Sequence, residues 1–307
     1  MNCILITGSS GLVGRAMRRA LEARGHEVRG LDLRSSGSER GDIRDRNRVD
    51  AALDGVTGVV HLAAVSRVAW GERDPDACWS TNVDGLRNVL ECSQRRAEPP
   101  WLIFASSREV YGQAEALPAS EDAPLRPVNV YGRSKVAGEQ LIDEARRGGV
   151  RASVARLSNV YGCTRDHADR VVPAFTRGVV LGSVLRVDGS SHAFDFTHVD
   201  DTTRGIAALV GRLSQDTDAP PPMHFVSGDS TTLGQLARLA ITLGGGGSII
   251  EEAPPRSFDV SRFHGSGARA KAVLDWSPRV SLEHGLARLI KDFRDELGSA
   301  CQQVGAP

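Results

Sequence analysis

A glycine-rich turn near the start of the chain constrains its fold more than any other feature. Residues 2–7 form a short apolar run that predicts a buried parallel strand, and this run leads directly into Gly8, Gly11 and Gly14. An amphipathic segment that ends near residue 24 then predicts a helix. A strand, a glycine turn and a helix in this order predict a fold that binds a dinucleotide.

Each glycine has a separate physical role in such a turn. Gly8 permits the tight backbone turn, Gly11 lets the backbone approach the pyrophosphate, and Gly14 allows close packing of the helix. The second predicted strand ends on Asp32, whose carboxylate would accept hydrogen bonds from both ribose hydroxyls of NAD. The same charge would repel the 2′-phosphate of NADP. The sequence therefore favours NAD, although Arg34 weakens this preference because it can reach a 2′-phosphate.

Strands and helices alternate along the first half of the chain, which predicts an α/β fold with a doubly wound parallel sheet. After Gly162 the alternation breaks down. We therefore predict a NAD-binding Rossmann domain over residues 1–165, to which residues of about 195–225 return, and a smaller, mainly substrate-binding lobe over residues 166–307. The predicted elements are strands at 2–7, 27–31, 58–61, 101–105 and 151–156, helices at 78–95 and 131–147, and a strand pair at 184–187 and 194–199.

Tyr131 and Lys135 are the first candidates for a catalytic pair. A spacing of four residues in a predicted helix places both side chains on one face, about one turn apart. There the ammonium lowers the phenol pKa from its reference value of about 10, so that tyrosinate becomes a usable base near neutral pH. A poised phenol is suited to the interconversion of alcohols and ketones.

Composition argues against several other classes of protein. The 38 basic and 38 acidic residues cancel, so the charge balance indicates neither nucleic acid nor a membrane surface as partner. No apolar run approaches the ~20 residues that span a bilayer, and no signal precedes the first strand, so we expect a cytoplasmic protein. The five cysteines and eight histidines lack metal-ligand spacing, so we expect neither a metal nor disulfides.

The order of the motifs resembles that of the extended short-chain dehydrogenase/reductases. Within them the chain resembles the NAD-dependent epimerase/dehydratase family of nucleotide-sugar enzymes. The resemblance extends from residue 2 to about residue 293. The motifs that carry it lie at residues 7–14, 61–64, 82, 106–107, 131, 135, 156–162, 195–201 and 276–278.

The resemblance implies NAD as the cofactor and a role for each catalytic residue. Tyr131 would exchange the proton of the sugar 4-hydroxyl while a hydride passes between C4 and the nicotinamide. Lys135 would hold the nicotinamide ribose, and Ser107 would bind the same sugar oxygen, because a hydroxyl both donates and accepts. For Asn82 a structural role that ties helix backbone near the site is an equal alternative. The implied cofactor contacts are Gly8, Gly11, Leu12, Val13, Gly14, Asp32, Asp42, Ile43, Leu62, Ala63, Ala64, Asn82, Tyr131 and Lys135.

The implied substrate is a nucleotide-diphosphate sugar. Asn159 matches the phosphate-contacting Asn of the family, and Arg256 and Asp259 match its contact to the nucleotide phosphate and ribose. One departure is Phe194, which stands where the family has an Arg that binds pyrophosphate. Either other cations balance the phosphate charge or the substrate differs from a standard UDP-sugar. The candidate cations are Arg186, His192, Arg256 and Arg262.

The identities of Arg108 and Glu109 help to choose among the reactions that the resemblance implies. In the 4,6-dehydratases a Glu at the position of Glu109 removes the C5 proton, and the residue before it is an acid. This chain has Arg108 there, and arginine is a poor proton donor. Arg108 would instead bind a C6 carboxylate or a phosphate, or pair with Glu109 and hold it inactive. Simple 4-epimerisation needs only Ser107, Tyr131 and Lys135, so it is the favoured reaction.

Several alternatives stay open from the sequence. The first is a dehydratase, decarboxylase or C5-epimerase that uses Glu109 as a base. The second is a protein that senses NAD or a sugar nucleotide without turnover, although such proteins typically lose the Tyr or Lys that this chain retains. Asp32 argues against a reductase that uses NADPH. The family also implies a homodimer through the helix that carries Tyr131 and the helix that contains Asn88.

Overall fold

The computed structural model describes residues 2–215 and 218–304. The strands are β1 (Cys3–Thr7), β2 (Glu27–Leu31), β3 (Gly58–His61), β4 (Trp101–Ser107), β5 (Ala152–Leu157), β6 (Asn159–Tyr161), β7 (Leu185–Asp188), β8 (Ala193–Phe194), β9 (Phe196–His198), β10 (Met223–Phe225), β11 (Thr231–Thr232), β12 (Ile250–Ala253) and β13 (Arg262–Phe263). The α-helices are α1 (Leu12–Glu22), α2 (Arg46–Ala52), α3 (Val68–Arg73), α4 (Pro75–Trp79), α5 (Gly85–Gln94), α6 (Val130–Arg147), α7 (Val171–Val180), α8 (Val199–Gln215), α9 (Leu233–Gly244), α10 (Ala268–Leu274) and α11 (Leu282–Val304). Two 3₁₀ helices, Gly37–Glu39 and Arg108–Tyr111, and a π-helical turn, Ser80–Asp84, complete the regular structure of this part of the chain.

Six parallel strands form the central sheet, in the order β10-β5-β4-β3-β1-β2. Every residue of β1, β3 and β4 is buried, as expected for strands that helices cover on both faces. The chain passes from β1 outward to β2 and then returns across β1 to β3. This reversal opens a crevice at the carboxyl ends of the strands, where ligands bind in such sheets. The predicted α/β fold with a doubly wound parallel sheet is confirmed.

The second half of the chain builds smaller sheets beside the central one. They are β11-β8-β13, β12-β7 and β6-β9. A separate apolar core packs α7, α9 and α11 against these strands. Within residues 199–225, helix α8 packs on α1 and β10 joins the central sheet. The predicted substrate lobe also includes residues 216–217 and 305–307, which lie outside the described residues.

Two predicted features differ in the structure. The strands predicted at 184–187 and 194–199 do not pair with each other. Instead β7 pairs with β12, and β9 pairs with β6, so tertiary packing brings together strands that are distant in the sequence. The helix predicted over residues 78–95 consists of α4, the π-helical turn and α5 in succession. None of the described helices combines the length and the apolar character needed to span a bilayer.

The glycine turn is packed too tightly to accept side chains. Gly8 has a φ of +71°, and a Cβ there would lie 2.7 Å from the backbone nitrogen of Ala63. At Gly14 in α1 a Cβ would collide with the carbonyl oxygen of Gly8 and lie 2.8 Å from the Cα of Ser9. Helix α1 therefore approaches the end of β1 only because residue 14 has no side chain.

We predict opposite effects for the same substitution in two helices. Gly14→Ala should destabilise the protein by about 1–3 kcal/mol, since the added methyl meets backbone that cannot move aside. Gly211→Ala in α8 is the matched control, because a Cβ there meets no atom within 4 Å. It should stabilise by roughly 0.5–1 kcal/mol through helix propensity. Denaturant unfolding of both variants measures the difference, and equal effects would contradict the packing argument.

Candidate functional site

A cavity of about 730 Å³ lies where the carboxyl ends of β1 to β5 meet the loops that follow them. The residues that the sequence assigns to catalysis, to the cofactor or to the substrate all line this cavity, with the exception of Asn82. The predicted residues in its lining are Gly8, Gly11, Leu12, Val13, Gly14, Asp32, Asp42, Ile43, Leu62, Ala63, Ala64, Ser107, Arg108, Glu109, Tyr131, Lys135, Asn159, Arg256 and Asp259.

The start of α1 forms one end of the cavity and suits a phosphate group. Gly11 precedes the helix and makes no side-chain cap, and Leu12, Val13 and Gly14 form the first turn. N–H groups in the first turn of a helix have no acceptor within the helix, so they bind anions. The absence of side chains on Gly11 and Gly14 permits close approach. This end of the cavity therefore fits the pyrophosphate of a dinucleotide.

Asp32, directly after β2, is buried beside the glycine turn. Its Oδ2 accepts a hydrogen bond from the backbone N–H of Ser10 at 3.0 Å, and its Oδ1 accepts one from the backbone N–H of Arg34 at 2.8 Å. Each carboxylate oxygen keeps a lone pair, so Asp32 can still accept from ribose hydroxyls. The Arg34 Nε lies 3.6 Å from Oδ1, so this cation pairs with Asp32.

Asp42 and Ile43 lie further along the same end of the cavity. The Asp42 carboxylate binds the Arg44 guanidinium at 2.6 Å, and the hydrogen bonds from Arg44 hold the Asp42 pKa below its usual value. Ile43 is buried, and its side chain occupies the space that a Cβ on Gly85 would need. The two residues thus present an apolar surface beside a charged one, as a contact to adenine requires.

The contacts of Asn82 support a structural role, which is one of the two roles that the sequence left open. It is buried in the π-helical turn and does not line the cavity. Its Oδ1 accepts from the backbone N–H of Val65 at 2.8 Å, and its Nδ2 donates to the Val65 carbonyl and to Ser134 Oγ. These bonds occupy both donors of the amide within the protein, which supports the structural role of Asn82. Asn82 holds Val65, which does line the cavity.

Ser107, Tyr131 and Lys135 meet at the carboxyl end of β4. Ser107 is the last residue of that strand, and Tyr131 and Lys135 lie on the first turns of α6. The Asn129 side chain begins α6 by accepting from the backbone N–H of Gly132 at 2.7 Å. The Tyr131 phenol and the Ser107 hydroxyl are hydrogen-bonded, and all three side chains are buried. The predicted catalytic residues are therefore in one place.

The Tyr131 pKa shifts in the direction opposite to the prediction. Burial raises it to about 12, and the hydrogen bond with Ser107 offsets only part of that rise. Lys135 donates to the carbonyl oxygen of Ala105 at 2.8 Å, and its Nζ lies 5.8 Å from the centroid of the Tyr131 ring. Burial also lowers the Lys135 pKa to about 8. The ammonium is thus directed at the backbone of β4, where it does not overcome the desolvation of the phenol.

Both oxygens of the Glu109 carboxylate already have partners. Oε1 lies 2.8 Å from Arg108 Nη2, and Oε2 accepts from Asn129 Nδ2 at 2.8 Å. The Arg108 and Glu109 side chains are only 11% and 6% exposed, so water screens this pair weakly. Of the two roles predicted for Arg108, the structure contains the ion pair that occupies Glu109. Each oxygen of Glu109 keeps a lone pair, but a proton taken up by this carboxylate would weaken its ion pair with Arg108.

Arg108 also contacts Phe194, the residue that replaces the expected Arg. Its guanidinium carbon lies 4.4 Å from the centroid of the Phe194 ring, within the range of a cation–π interaction. Phe194 is buried in β8, which pairs with β11 and β13. A positive charge therefore stands beside the position where the Arg is missing, although it comes from a different element of the fold.

The far end of the cavity contains further cations. Arg256 donates to Asp259 at 2.8 Å, which matches the predicted pair, and Arg186 binds Asp188 at 2.9 Å. Of the other predicted cations, His192 lines the cavity whereas Arg262 does not. The basic residues of the lining that the sequence analysis missed include Arg67, His167 and Arg170, which lie in segments without a motif. No group of three His, Cys, Asp or Glu side chains among the described residues is arranged to hold a metal ion.

A buried polar network lies beneath the catalytic residues and was also missed. Arg156 on β5 donates to both oxygens of Glu139 on α6, at 2.9 and 2.6 Å, and to the Tyr111 hydroxyl at 2.6 Å. Ser106 donates to the same carboxylate at 2.5 Å, and Tyr111 bonds to His224 on β10. Two signals were available in the sequence. Arg156 is a charge within an apolar strand, and Glu139 lies one turn after Lys135.

Comparisons with known proteins agree with this geometry. A family model described as the NAD dependent epimerase/dehydratase family matches residues 4–221. The chain is 30% identical to UDP-glucose 4-epimerase of Mycolicibacterium smegmatis, over 95% of this chain and 98% of that protein. It is also 30% identical to UDP-glucuronic acid decarboxylase 1 of Danio rerio, over 96% of this chain and 72% of that protein. The crystal structure of the UDP-glucose 4-epimerase of Thermus thermophilus in complex with NAD superposes with a TM-score of 0.88 at 26% identity, covering 95% of this chain and 99% of that one.

The phenol pKa leads to a prediction for titration of the tyrosines. The chain has three tyrosines, and burial raises the pKa of Tyr111, Tyr131 and Tyr161 above the ordinary value of 10. Protein stripped of bound nucleotides should therefore show no tyrosinate absorbance near pH 10. The unfolded chain releases its phenol protons at that pH while the folded chain retains them, so stability should fall as pH rises from 10 towards 12.

Tyr131→Phe provides the control for this titration. It should remove one of three equal steps, and the step that disappears should have its midpoint near pH 12. A step near or below pH 10 that is present in the parent protein and missing from Tyr131→Phe would show that Lys135 lowers the phenol pKa after all.

Proposed function

The chain belongs to the NAD-dependent epimerase/dehydratase family, and on that premise we propose that it is an NAD-dependent nucleotide-sugar 4-epimerase. The observation that carries the choice of reaction is the occupied Glu109 carboxylate. Arg108 and Asn129 bind its two oxygens, so the residue that would remove a C5 proton is engaged elsewhere. Ser107, Tyr131 and Lys135 are not held in an ion pair of this kind, and they suffice for chemistry at C4.

NAD fits the cavity of this chain. The first turn of α1 suits the pyrophosphate, the Asp32 carboxylate suits the adenosine ribose, and Lys135 lies where it can hold the nicotinamide ribose. Arg34 lies 3.6 Å from Asp32 and therefore offsets part of the charge that disfavours a 2′-phosphate. When bound, NAD supplies reversible oxidation of the C4 carbinol and a positive charge that favours ionisation of a nearby phenol.

Tyr131 and Ser107 transfer the proton of the sugar 4-hydroxyl. Tyr131 accepts the proton of the 4-hydroxyl and later returns it to the epimeric alcohol. Ser107, which is hydrogen-bonded to the phenol, donates to the oxygen when it is a ketone and accepts from it when it is an alcohol. The 4-keto sugar must turn within the cavity between the two steps, so that the opposite face of C4 is presented.

The remaining cavity accommodates the rest of a nucleotide-diphosphate sugar. We propose that Asn159 contacts the phosphates and that Arg256 and Asp259 bind phosphate and ribose of the nucleotide, since all three line the cavity. Residues 1–165, joined by about 195–225, would then bind the cofactor, and the lobe from residue 166 onward would bind the substrate. The decarboxylase of Danio rerio, at the same identity as the epimerase, supports a reaction at C5 through Glu109 as the alternative.

We also propose a homodimer in the cytoplasm. The paired surface would be the outer faces of α5 and α6, as the family resemblance implies. Cys3, Cys78 and Cys92 are buried as free thiols, which suits a reducing compartment. Sedimentation of the purified protein tests the dimer, and a charge substitution on the outer face of α6, Ala137→Glu, should shift it to monomer.

Two variants in deuterated water test the proposed reaction. Tyr131→Phe should lower the epimerisation rate at least about 100-fold, since it removes the general base, while NAD stays bound. Glu109→Gln should keep most of the rate, because the amide preserves the shape of the side chain and the carboxylate has no part in the chemistry. The measurement is NMR of UDP-sugars incubated with NAD and enzyme. Deuterium at C5, or loss of water or carbon dioxide, would establish the alternative instead.

A further inference from the structure

Arg108 and Phe194 depart from the family pattern in two separate motifs, and the structure brings them together. They are far apart in the chain, yet the guanidinium lies over the Phe194 ring at 4.4 Å. Phe194 is fixed by β11 on one side and β13 on the other. The Phe194 ring therefore supports the Arg108 guanidinium in the lining of the cavity, next to Ser107.

One donor group of Arg108 has no acceptor. Its Nη2 binds Glu109, whereas its Nη1 is buried and finds no hydrogen-bond partner among the described residues. Buried donors without partners are uncommon in proteins, because each loses its hydration without compensation. Nη1 itself is shielded, but the side chain lines the cavity and is 11% exposed, so a small rotation of the guanidinium would bring Nη1 to an acceptor on the bound substrate.

The charges around the reacting groups favour an anionic acceptor. Arg108, Lys135 and Arg170 are the cations, and Arg170 is close enough to Tyr131 to lower its phenol pKa. Against them stand Glu109, paired with Arg108, and Asp166, 3.7 Å from Arg170. Three cations face two carboxylates, which leaves one positive charge at this end of the cavity. The neighbouring pairs, Arg67 with Asp169 and Arg256 with Asp259, are each neutral.

We propose that the substrate is a nucleotide-diphosphate hexuronate and that Arg108 binds its C6 carboxylate. The inference rests on the proposed 4-epimerase function, because Ser107 and Tyr131 then hold O4. The residue directly after Ser107 lies beside the substituent on the adjacent C5. A carboxylate there would satisfy the unpartnered donor and balance the excess positive charge, and a bidentate guanidinium contact is the geometry that recognises it. A hexose offers only a neutral hydroxyl at the same place.

The test compares two substrates that differ only at C6. UDP-glucuronate and UDP-glucose are assayed for C4 epimerisation with the parent enzyme, Arg108→Gln and Glu109→Gln. The parent should favour the hexuronate in kcat/KM by about 100-fold. Arg108→Gln should remove most of that preference through a higher KM for the hexuronate, with little change for the hexose. Glu109→Gln is the matched control, because it keeps the Arg108 charge and should retain the preference.

The outcomes separate this inference from the function on which it rests. Epimerisation of UDP-glucose in preference to UDP-glucuronate would overturn the role of Arg108 and leave the 4-epimerase intact. An equal loss for both substrates in Arg108→Gln would also overturn it, since Arg108 would then serve the diphosphate that they share. If neither substrate, nor any other nucleotide sugar of a hexose and hexuronate panel, changed at C4, the proposed function itself would fail. The comparison of substrates by the parent enzyme needs no variant to fold.

Discussion

The position of the reacting groups depends on the buried ion pair between Glu139 and Arg156. Glu139 lies on α6, the helix that carries Tyr131, and Arg156 lies on β5, so the pair ties that helix to the central sheet. Ser106 donates to the same carboxylate and thereby connects the strand that ends in Ser107. Removal of one partner from such a pair typically costs about 3–5 kcal/mol. A contact that never touches the sugar therefore sets the geometry at its reacting oxygen.

Local patterns were sufficient to predict the fold, and together with the family resemblance they predicted part of the cavity lining. The glycine turn required a strand on one side and a helix on the other, because Gly8 and Gly14 admit no side chain, and this requirement is local in sequence. The same holds for Tyr131 and Lys135, which one helical turn places together. Strands β2 and β3 have the predicted bounds, and every residue of β3 is buried, as expected for an interior strand of a parallel sheet.

Features that depend on distant residues or on burial could not be predicted in this way. The strand pairing of β7 with β12 is set by tertiary packing, and the same is true of the contact between Arg108 and Phe194. The pKa of Tyr131 is a balance between desolvation and charge, and the sequence shows the nearby charge but not the depth of burial. The two roles of Asn82 stayed open for a related reason, since only the structure shows which groups satisfy its amide.

The contacts of Arg108 and Asn129 with the two oxygens of Glu109 have a consequence for how different reactions evolve on one fold. In the proposed function, the acidic side chain that a C5-directed enzyme needs is present, and its ion pair with Arg108 keeps it from acting as a base. An ancestor could thus acquire or lose chemistry at C5 through exchange of the neighbouring cation, without disturbing the machinery at C4. A reaction assigned from the glutamate alone would then be wrong for proteins of this kind. The residues at positions 108 and 109 must be considered together.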